Sequence, residues 1–268
     1  NGLNPTNQFY SAGYVRVGRR RIDDTAAAGH YDFERAFLKS SNTYFIENAL
    51  AKGQGIEPIL AMGRQFYLGE KTGLLPGQEA AGQFPSLESV RKRWSDGDTA
   101  NIAIGQGPIS VTPLQVALYT AAIANGGTMY WPRLVDRIES PDPNEAGRAL
   151  HFPKARIRGR LMVRPENLKV VQRAMLADVA LDAGTGKRAR IEGYEVCGKT
   201  GTAEVKSREH GKYKITWFTS YAPFEAPRYA VVVMAERGAS GGGTCAPAAK
   251  KIYEALIQVD EEPNVAER

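Results

Sequence analysis

Glu195-Val196-Cys197-Gly198-Lys199-Thr200-Gly201-Thr202-Ala203-Glu204-Val205 is the stretch whose reading decides the fold. Val196, Cys197, Thr200, Thr202 and Val205 suit an extended chain. The two glycines do not, and a glycine inside a strand marks a place where another backbone comes close. Lys199 adds a cation. Thr200 and Thr202 stand two apart, so their hydroxyls share one side of an extended strand. A strand edge with a bare glycine, a cation and two hydroxyls suits a peptide that ends in a carboxylate: the peptide adds as a further strand and the polar groups hold its charged end.

Lys-Thr-Gly occurs twice, so the tripeptide alone decides nothing. Lys71-Thr72-Gly73 lies among turn residues, between Leu68 and Gly77, and predicts a connection. The second copy is followed by an alternating aromatic and β-branched run, Tyr213 to Ala222. Next comes Tyr229 to Ala235, apolar on both faces as a central strand should be. Short connections at Gly211 and at Pro223/Pro227 make the three an antiparallel meander. Gly241-Gly242-Gly243 should then break the chain, with Thr244 capping a helix through Ala248, Ile252, Leu256 and Ile257.

Outward from this meander, the 268 residues are 43% hydrophobic, enough for one large core or two small ones. No apolar run is long enough to span a bilayer and no signal peptide opens the chain. Asn1 is not a natural start, so a piece of a longer protein is expected. The net charge of +6 is scattered, with clusters only at Arg19-Arg20-Arg21 and Arg91-Lys92-Arg93. It reads as a solvated surface, and there is no basic-aromatic pattern for nucleic acid. Cys197 and Cys245 cannot make a disulfide framework and should both be reduced. His30, His151 and His210 lie far apart, which argues against a metal site and against a Ser-His-Asp triad. No cofactor is expected.

Towards the N-terminus, residues 1–31 read as loop and short strand. Asp32 caps a helical run over Phe33 to Leu38, interrupted at Ser40-Ser41-Asn42. A second run follows from Thr43 to Lys52 and stops at Gly53. Serines and asparagine compete with the helix for backbone hydrogen bonds, so Ser41 or Asn42 can cap the second helix. A short helix should run from Pro58 to about Tyr67. Residues 69–100 read as a long polar loop. Thr112 and Pro113 start a strong helix with Leu114, Ala117, Leu118, Ala121 and Ala122 on one face, ended by Gly126-Gly127. Short strands and loops should fill 128–163. Pro165 starts another amphipathic helix, with Leu168, Val171, Met175 and Val179, closing before Gly184. Gly184-Thr185-Gly186-Lys187 lacks the full phosphate-loop pattern.

Taken together, Ser40-Ser41-Asn42, Gly105-Gln106-Gly107-Pro108 leading to Thr112-Pro113, Lys199-Thr200-Gly201-Thr202 and Trp217 to Pro223 resemble the penicillin-binding proteins. Ser-x-Asn and Lys-Thr-Gly, the second and third signatures of the serine D,D-transpeptidases, stand in the right order. Their spacing is similar to the class B enzymes of the penicillin-binding protein 2 type, and the likeness covers residues 10 to 258. The resemblance implies an α+β fold, an antiparallel sheet flanked by helices as in β-lactamases and transpeptidases. It also implies one transpeptidase domain over 1–258 and a flexible tail over 259–268.

The family's first signature, Ser-x-x-Lys, holds the nucleophile and its base, and nothing before Ser40 matches it. Ser89-Val90-Arg91-Lys92 falls after Ser-x-Asn, in what reads as polar loop, and is taken as chance. By analogy the nucleophile lies upstream of Asn1, and this chain lacks the first strands and the central helix of the fold. That leaves an unpaired edge on the Tyr229–Ala235 strand.

The resemblance further implies catalytic roles for Ser40, Asn42 and Lys199 and substrate contacts from Ser41, Thr200, Gly201 and Thr202. Ser40 would relay a proton and hydrogen-bond Lys199. The implied reaction is cross-linking of peptidoglycan stem peptides ending in D-Ala-D-Ala, inhibited by β-lactams. The implied partners are stem peptides, β-lactams, the missing N-terminal part and proteins of the cell-elongation machinery. The implied place is a membrane-anchored parent facing the periplasm, the present piece being soluble. Two other readings are a catalytically inactive penicillin-binding sensor domain and a serine β-lactamase.

Overall fold

The structure is a computed structural model and describes residues 4–51, 55–142, 149–153, 155–207 and 211–261. Near the N-terminus, β1 (Phe9–Ser11) is followed by the hairpin of β2 (Tyr14–Val17) and β3 (Arg20–Asp23), and β4 (Gly29–Tyr31) returns to pair with β1. Then come α1 (Phe33–Lys39) and α2 (Asn42–Leu50). Asp32 caps α1 by accepting the N–H of Arg35, and Ser41 caps α2 by accepting that of Tyr44. The expected stop at Gly53 lies outside the described residues. α3 (Glu57–Gln65) carries Pro58 in its first turn, where a missing N–H costs nothing.

Residues 69–100 differ from the expected loop. No helix or strand covers 69–81, but α4 (Leu87–Lys92) and α5 (Asp96–Ala103) follow. Each opens with a reciprocal serine cap, Ser86 with Ser89 and Ser95 with Asp98. Such local bonds can start a helix in a polar stretch that has little apolar periodicity.

α6 (Pro113–Ala124) begins at Thr112 as expected, with Thr112 and Gln115 exchanging cap bonds. Its buried face differs from the predicted stripe. Of Leu114, Ala117, Leu118, Ala121 and Ala122, only Ala122 is buried, whereas Gln115, Val116, Thr120 and Ala124 are. The polar members are tolerated because they are satisfied. Gln115 donates to the carbonyls of Glu70 and Ala81, and Thr120 bonds the Val116 carbonyl and the Thr219 hydroxyl. Apolar periodicity cannot see residues buried for their hydrogen bonds.

β5 (Thr128–Tyr130) and, after β6 (Arg137–Ile138) and β7 (Leu150–His151), β8 (Ile157–Arg160) form two small antiparallel pairs, β5 with β8 and β6 with β7. α7 (Pro165–Ala180) buries Leu168, Met175 and Val179 of its predicted stripe, while Val171 is half-buried. The meander follows: β9 (Cys197–Ser207), β10 (Gly211–Ala222) and β11 (Tyr229–Glu236), antiparallel, with β10 in the middle. Among the described residues β11 therefore has one partner strand and a free edge, although its residues are apolar enough for a central position.

The glycine triplet does not break the chain. Gly241–Cys245 form a π turn that runs directly into α8 (Ala246–Glu261). Its cap is Ser240, which accepts the N–H of Gly243, and not Thr244, whose hydroxyl accepts that of Ala239. A Cβ at Gly241 would lie 2.3 Å from the Trp217 carbonyl oxygen, and one at Gly242 2.3 Å from that of Thr185. The glycines let the helix start press onto the sheet at Gly241 and onto the turn after α7 at Gly242. Residues 259–261, expected in the tail, belong to α8; 262–268 lie outside the described residues.

α8 covers one face of the sheet, with Ala246, Ala249 and Tyr253 against Val196, Phe218, Ala222 and Val231. On the other face Cys197 and Tyr221 meet Ala124 of α6, Met175 of α7 and Phe37 of α1. This antiparallel sheet between helical layers is the α+β class the sequence predicts. Both cysteines are free and buried.

Candidate active site

Ser40 sits where α1 ends. Its backbone is left-handed, φ 55°, and its N–H closes the helix onto the carbonyls of Ala36 and Phe37. Such a conformation is uncommon outside glycine and marks a sharp stop. The chain turns at once into α2, and Asp24, in the loop after β3, holds that turn. Its carboxylate accepts the Ser41 hydroxyl at 2.7 Å, the Asn42 N–H at 2.6 Å, the Thr43 N–H at 3.2 Å and the Ser11 hydroxyl at 3.2 Å. Burial disfavours the Asp24 charge, but the Ser41 hydroxyl and the Ala26 and Asn42 N–H groups outweigh it and hold the carboxyl below its ordinary pKa.

Ser41 is buried in the turn. Expected against substrate, it is 0% exposed, and its hydroxyl is spent on Asp24 and on capping α2. It shapes the turn. Asn42 remains partly exposed, its side-chain amide reaching the Asp23 carbonyl at 3.4 Å.

The second half of the site is β9. The register pairs Thr200 with Phe218, Gly201 with Trp217 and Thr202 with Thr216, which leaves the other edge of β9 without a strand among the described residues. Alternation places Gly198, Thr200 and Thr202 on the α8 side and Cys197 and Lys199 on the side of α1, α6 and α7. Thr202 is exposed and its hydroxyl accepts the Gly241 N–H at 3.4 Å. Gly201 has room for a Cβ, 3.4 Å from that of Trp217, so its bareness is not required by packing.

Lys199 lies over the Phe37 ring, 5.4 Å from its centre, and so beside the end of α1 where Ser40 stands. Lys39 ties the same helix end to the Ala183 carbonyl at 3.0 Å. The structure thus brings Ser40 and Lys199 into one neighbourhood across 159 positions of sequence. The expected Ser40–Lys199 bond is not among the described hydrogen bonds. Lys199 Nζ donates instead to the hydroxyls of Thr185, at 3.3 Å, and Thr200, at 3.5 Å. Burial lowers the Lys199 pKa, and the nearby Asp178 carboxylate works in the opposite sense.

Four residues near the site were given no role from the sequence: Asp24, Gln106, Asp178 and Thr185. Gln106, on a loop between two left-handed glycines, points its amide at the Thr202 carbonyl, 3.5 Å away. Thr185 belongs to the Gly-Thr-Gly run set aside as an incomplete phosphate loop. Ser89 lies on α4 rather than in a loop, and its hydroxyl is engaged with Ser86 while Lys92 pairs with Glu88 at 2.6 Å. A serine and lysine one turn apart therefore do not form a nucleophile–base pair. A cavity of about 300 Å³ is lined by Gln83, Ser89, Trp94 and Pro108, and Lys199 is not among its lining residues.

A cation behind an open strand edge, the exposed Thr202 hydroxyl and a serine at a helix end suit recognition of a peptide carboxylate next to a proton relay. A scan against protein families matches residues 1–254 to the penicillin binding protein transpeptidase domain. The peptidoglycan D,D-transpeptidase MrdA of Haemophilus influenzae is 31% identical over 95% of the chain, and the chain spans 41% of that relative's length. Penicillin binding protein 3 of Mycobacterium tuberculosis, solved with ampicillin, is 30% identical with a TM-score of 0.80, covering 97% of this chain and 58% of that one. PBP2 of Helicobacter pylori, solved with MreC, is 27% identical with a TM-score of 0.76, covering 95% and 46%.

Proposed function

The chain belongs to the penicillin binding protein transpeptidase family, and from that premise we propose that it carries the second and third motifs of a serine D,D-transpeptidase that cross-links peptidoglycan stem peptides. The observation that carries this reading is the open edge of β9, with Lys199 behind it and the Ser40 turn beside it.

In the proposed reaction a serine Oγ, on a Ser-x-x-Lys segment outside this chain, attacks the carbonyl carbon between the last two D-Ala residues. The peptide C–N bond breaks, the ester forms, and the terminal D-Ala leaves as an amine that has gained the serine's proton. An amine of a second stem then attacks the ester, forms the cross-link and returns a proton to the serine. Covalent catalysis divides one hard acyl transfer into two easier ones. Ser40 relays the proton, Asn42 orients the absent lysine and the substrate backbone, and Lys199 sets a positive potential at the carboxylate. Thr200, Gly201 and Thr202 receive the peptide, and the Thr202 N–H is one of two oxyanion donors; such a donor is worth on the order of 10²–10³ in rate. Ser41 has no substrate role in this scheme. A β-lactam acylates the same serine.

The parent protein faces the outside of the cytoplasmic membrane, where its substrate lies, and works with cell-elongation proteins; the MreC-bound relative supports that partner class. No described helix is long and apolar enough to cross a membrane. An inactive sensor domain and a β-lactamase are the alternatives. Intact-mass analysis with penicillin tests the reading. The chain by itself should gain no adduct, and adding the upstream segment should give one penicillin mass on a serine of that segment. A penicillin mass on Ser89 or Ser40 of the isolated chain would overturn the assignment. Acylation without any cross-linked product would favour the sensor.

A further inference from the structure

Thr185 lies between α7 and β9 and uses its whole hydrogen-bonding capacity there. Its hydroxyl donates to Asp178 Oδ1 at 2.8 Å and accepts from the Thr200 hydroxyl at 2.6 Å and from Lys199 Nζ at 3.3 Å. A hydroxyl has one proton and two lone pairs, so nothing remains. The Thr185 N–H also donates to Asp178 Oδ1, at 3.0 Å. Asp178 is 0% exposed, and its Oδ2 is buried with no hydrogen-bond partner among the described residues. The turn around it has no slack: a Cβ at Gly184 would lie 2.0 Å from the Asp178 carbonyl oxygen, and one at Gly186 2.8 Å from Oδ2. A buried, half-satisfied carboxylate is costly, and it persists where a cation compensates it.

We infer that Asp178 and Thr185 are positioning residues, a buried relay that holds the Lys199 ammonium in place for the substrate carboxylate and anchors Thr200 by accepting its one hydroxyl proton, with Asp178 as the counter-charge. This rests on the proposed transpeptidase reading of the site. Burial raises the Asp178 pKa and lowers that of Lys199, and each charge partly offsets the shift of the other. Among the described residues, Asp178 is the charged group that acts on Lys199. Arg35 of α1 lies over the Tyr31 ring and Lys39 turns to Ala183. In the turn after α7, Lys187 bonds the Asp182 carbonyl and Arg190 pairs with the Asp182 carboxylate. The sign follows: without the Asp178 charge, Lys199 loses its proton at lower pH.

The test uses the full-length protein. The rate constant for acylation by benzylpenicillin is measured against pH for wild type, Asp178→Asn, Thr185→Val and Thr185→Ser, and the Lys199 Nζ titration is followed by NMR. Asn keeps an acceptor for Thr185 but removes the charge. It should move the Lys199 midpoint and the alkaline limb of acylation down by about one pH unit, a tenfold change in protonation. Thr185→Val should slow acylation about tenfold, and Thr185→Ser should restore it, which a purely steric role would not predict. If Asp178→Asn fails to fold, the Val/Ser pair still decides. An unmoved Lys199 midpoint and pH limb, or Thr185→Ser no better than Thr185→Val, would overturn the relay. A wild type that is not acylated, with a Lys199 midpoint that still falls in Asp178→Asn, would sink the proposed function and leave the relay standing.

Discussion

The two Lys-Thr-Gly copies put the same three residues to opposite uses. In Lys71-Thr72-Gly73 a carboxylate is already in place. Glu79 Oε2 accepts the Thr72 N–H at 2.6 Å, the Thr72 hydroxyl at 2.7 Å and the Gly73 N–H at 3.1 Å, and Oε1 accepts the Leu75 N–H at 2.6 Å. Burial works against the Glu79 charge, but these donors overcome it and lower the pKa from 4.5 to about 2. In Lys199-Thr200-Gly201 the lysine is drawn inward towards Asp178 and Thr185, and among the described residues no carboxylate is bonded at the outer strand edge. One copy is a turn clasped by its own anion. The other, in the proposed reading, is an anion site whose residues are fixed from behind. The difference lies in what each backbone is attached to, since the letters are identical.

The lysines break this comparison most sharply. In the full-length protein Lys199→Ala should slow penicillin acylation by on the order of 10² or more, the scale of losing one electrostatic contact to the reacting group. Lys71→Ala should leave it near wild type. Equal losses in a fluorescent-penicillin gel assay would mean that the wrong copy has been placed at the site.

The glycines sharpen it, because the same substitution should give opposite readouts. Gly73 has φ +81° and a Cβ there would lie 3.1 Å from the Trp131 ring. Gly73→Ala should therefore cost about 1–2 kcal/mol of folding stability, with acylation unchanged. Gly201 lies in the strand with no positive φ and with ordinary space for a Cβ. Gly201→Ala should stay within about 0.5 kcal/mol of wild type in denaturant melts. It should still slow acylation about tenfold, because the methyl group stands where the peptide backbone must approach. A Gly201→Ala protein that acylates normally would remove that glycine from the site.

The smallest effect is local and pH-dependent. The depressed pKa of Glu79 means that its contribution is present above 4.5 and is lost as pH falls towards about 2. Amide protection of Thr72, Gly73 and Leu75 in hydrogen exchange should hold at pH 5 and fade below pH 4. Glu79→Gln should show the faded pattern at every pH. Protection in the β9 strand should be the same in both proteins; a parallel loss there would show that the two copies are coupled.

Much of the fold is legible in the residues alone. Asp32, Thr112 and Pro113 announce their helices because caps act within one turn. The meander declares itself through alternation, and the order of Ser40-Ser41-Asn42 and Lys199-Thr200-Gly201-Thr202 points to the family. Other parts are not legible, each for its own reason. The starts of α4 and α5 rest on serine cap pairs inside a polar stretch. The buried face of α6 includes Gln115 and Thr120, whose partners come from a distant loop and from β10. Gly241 and Gly242 read as a break, yet they seat the start of α8, Gly241 against the sheet and Gly242 against the Thr185 turn.

What the sequence by itself determines is therefore what short range and periodicity control: caps, strand alternation, and the identity and order of the two motifs. What only the tertiary structure decides is which chemical groups are left available. Ser41 lies within the family motif, but Asp24 from another segment takes its hydroxyl into the interior. Thr185 looks like the remnant of a phosphate loop, but the packing of α7 against β9 makes it the bridge between Asp178 and Lys199. A side chain's role depends on how many of its donors and acceptors are already used, and the partners that use them here lie up to tens of residues away.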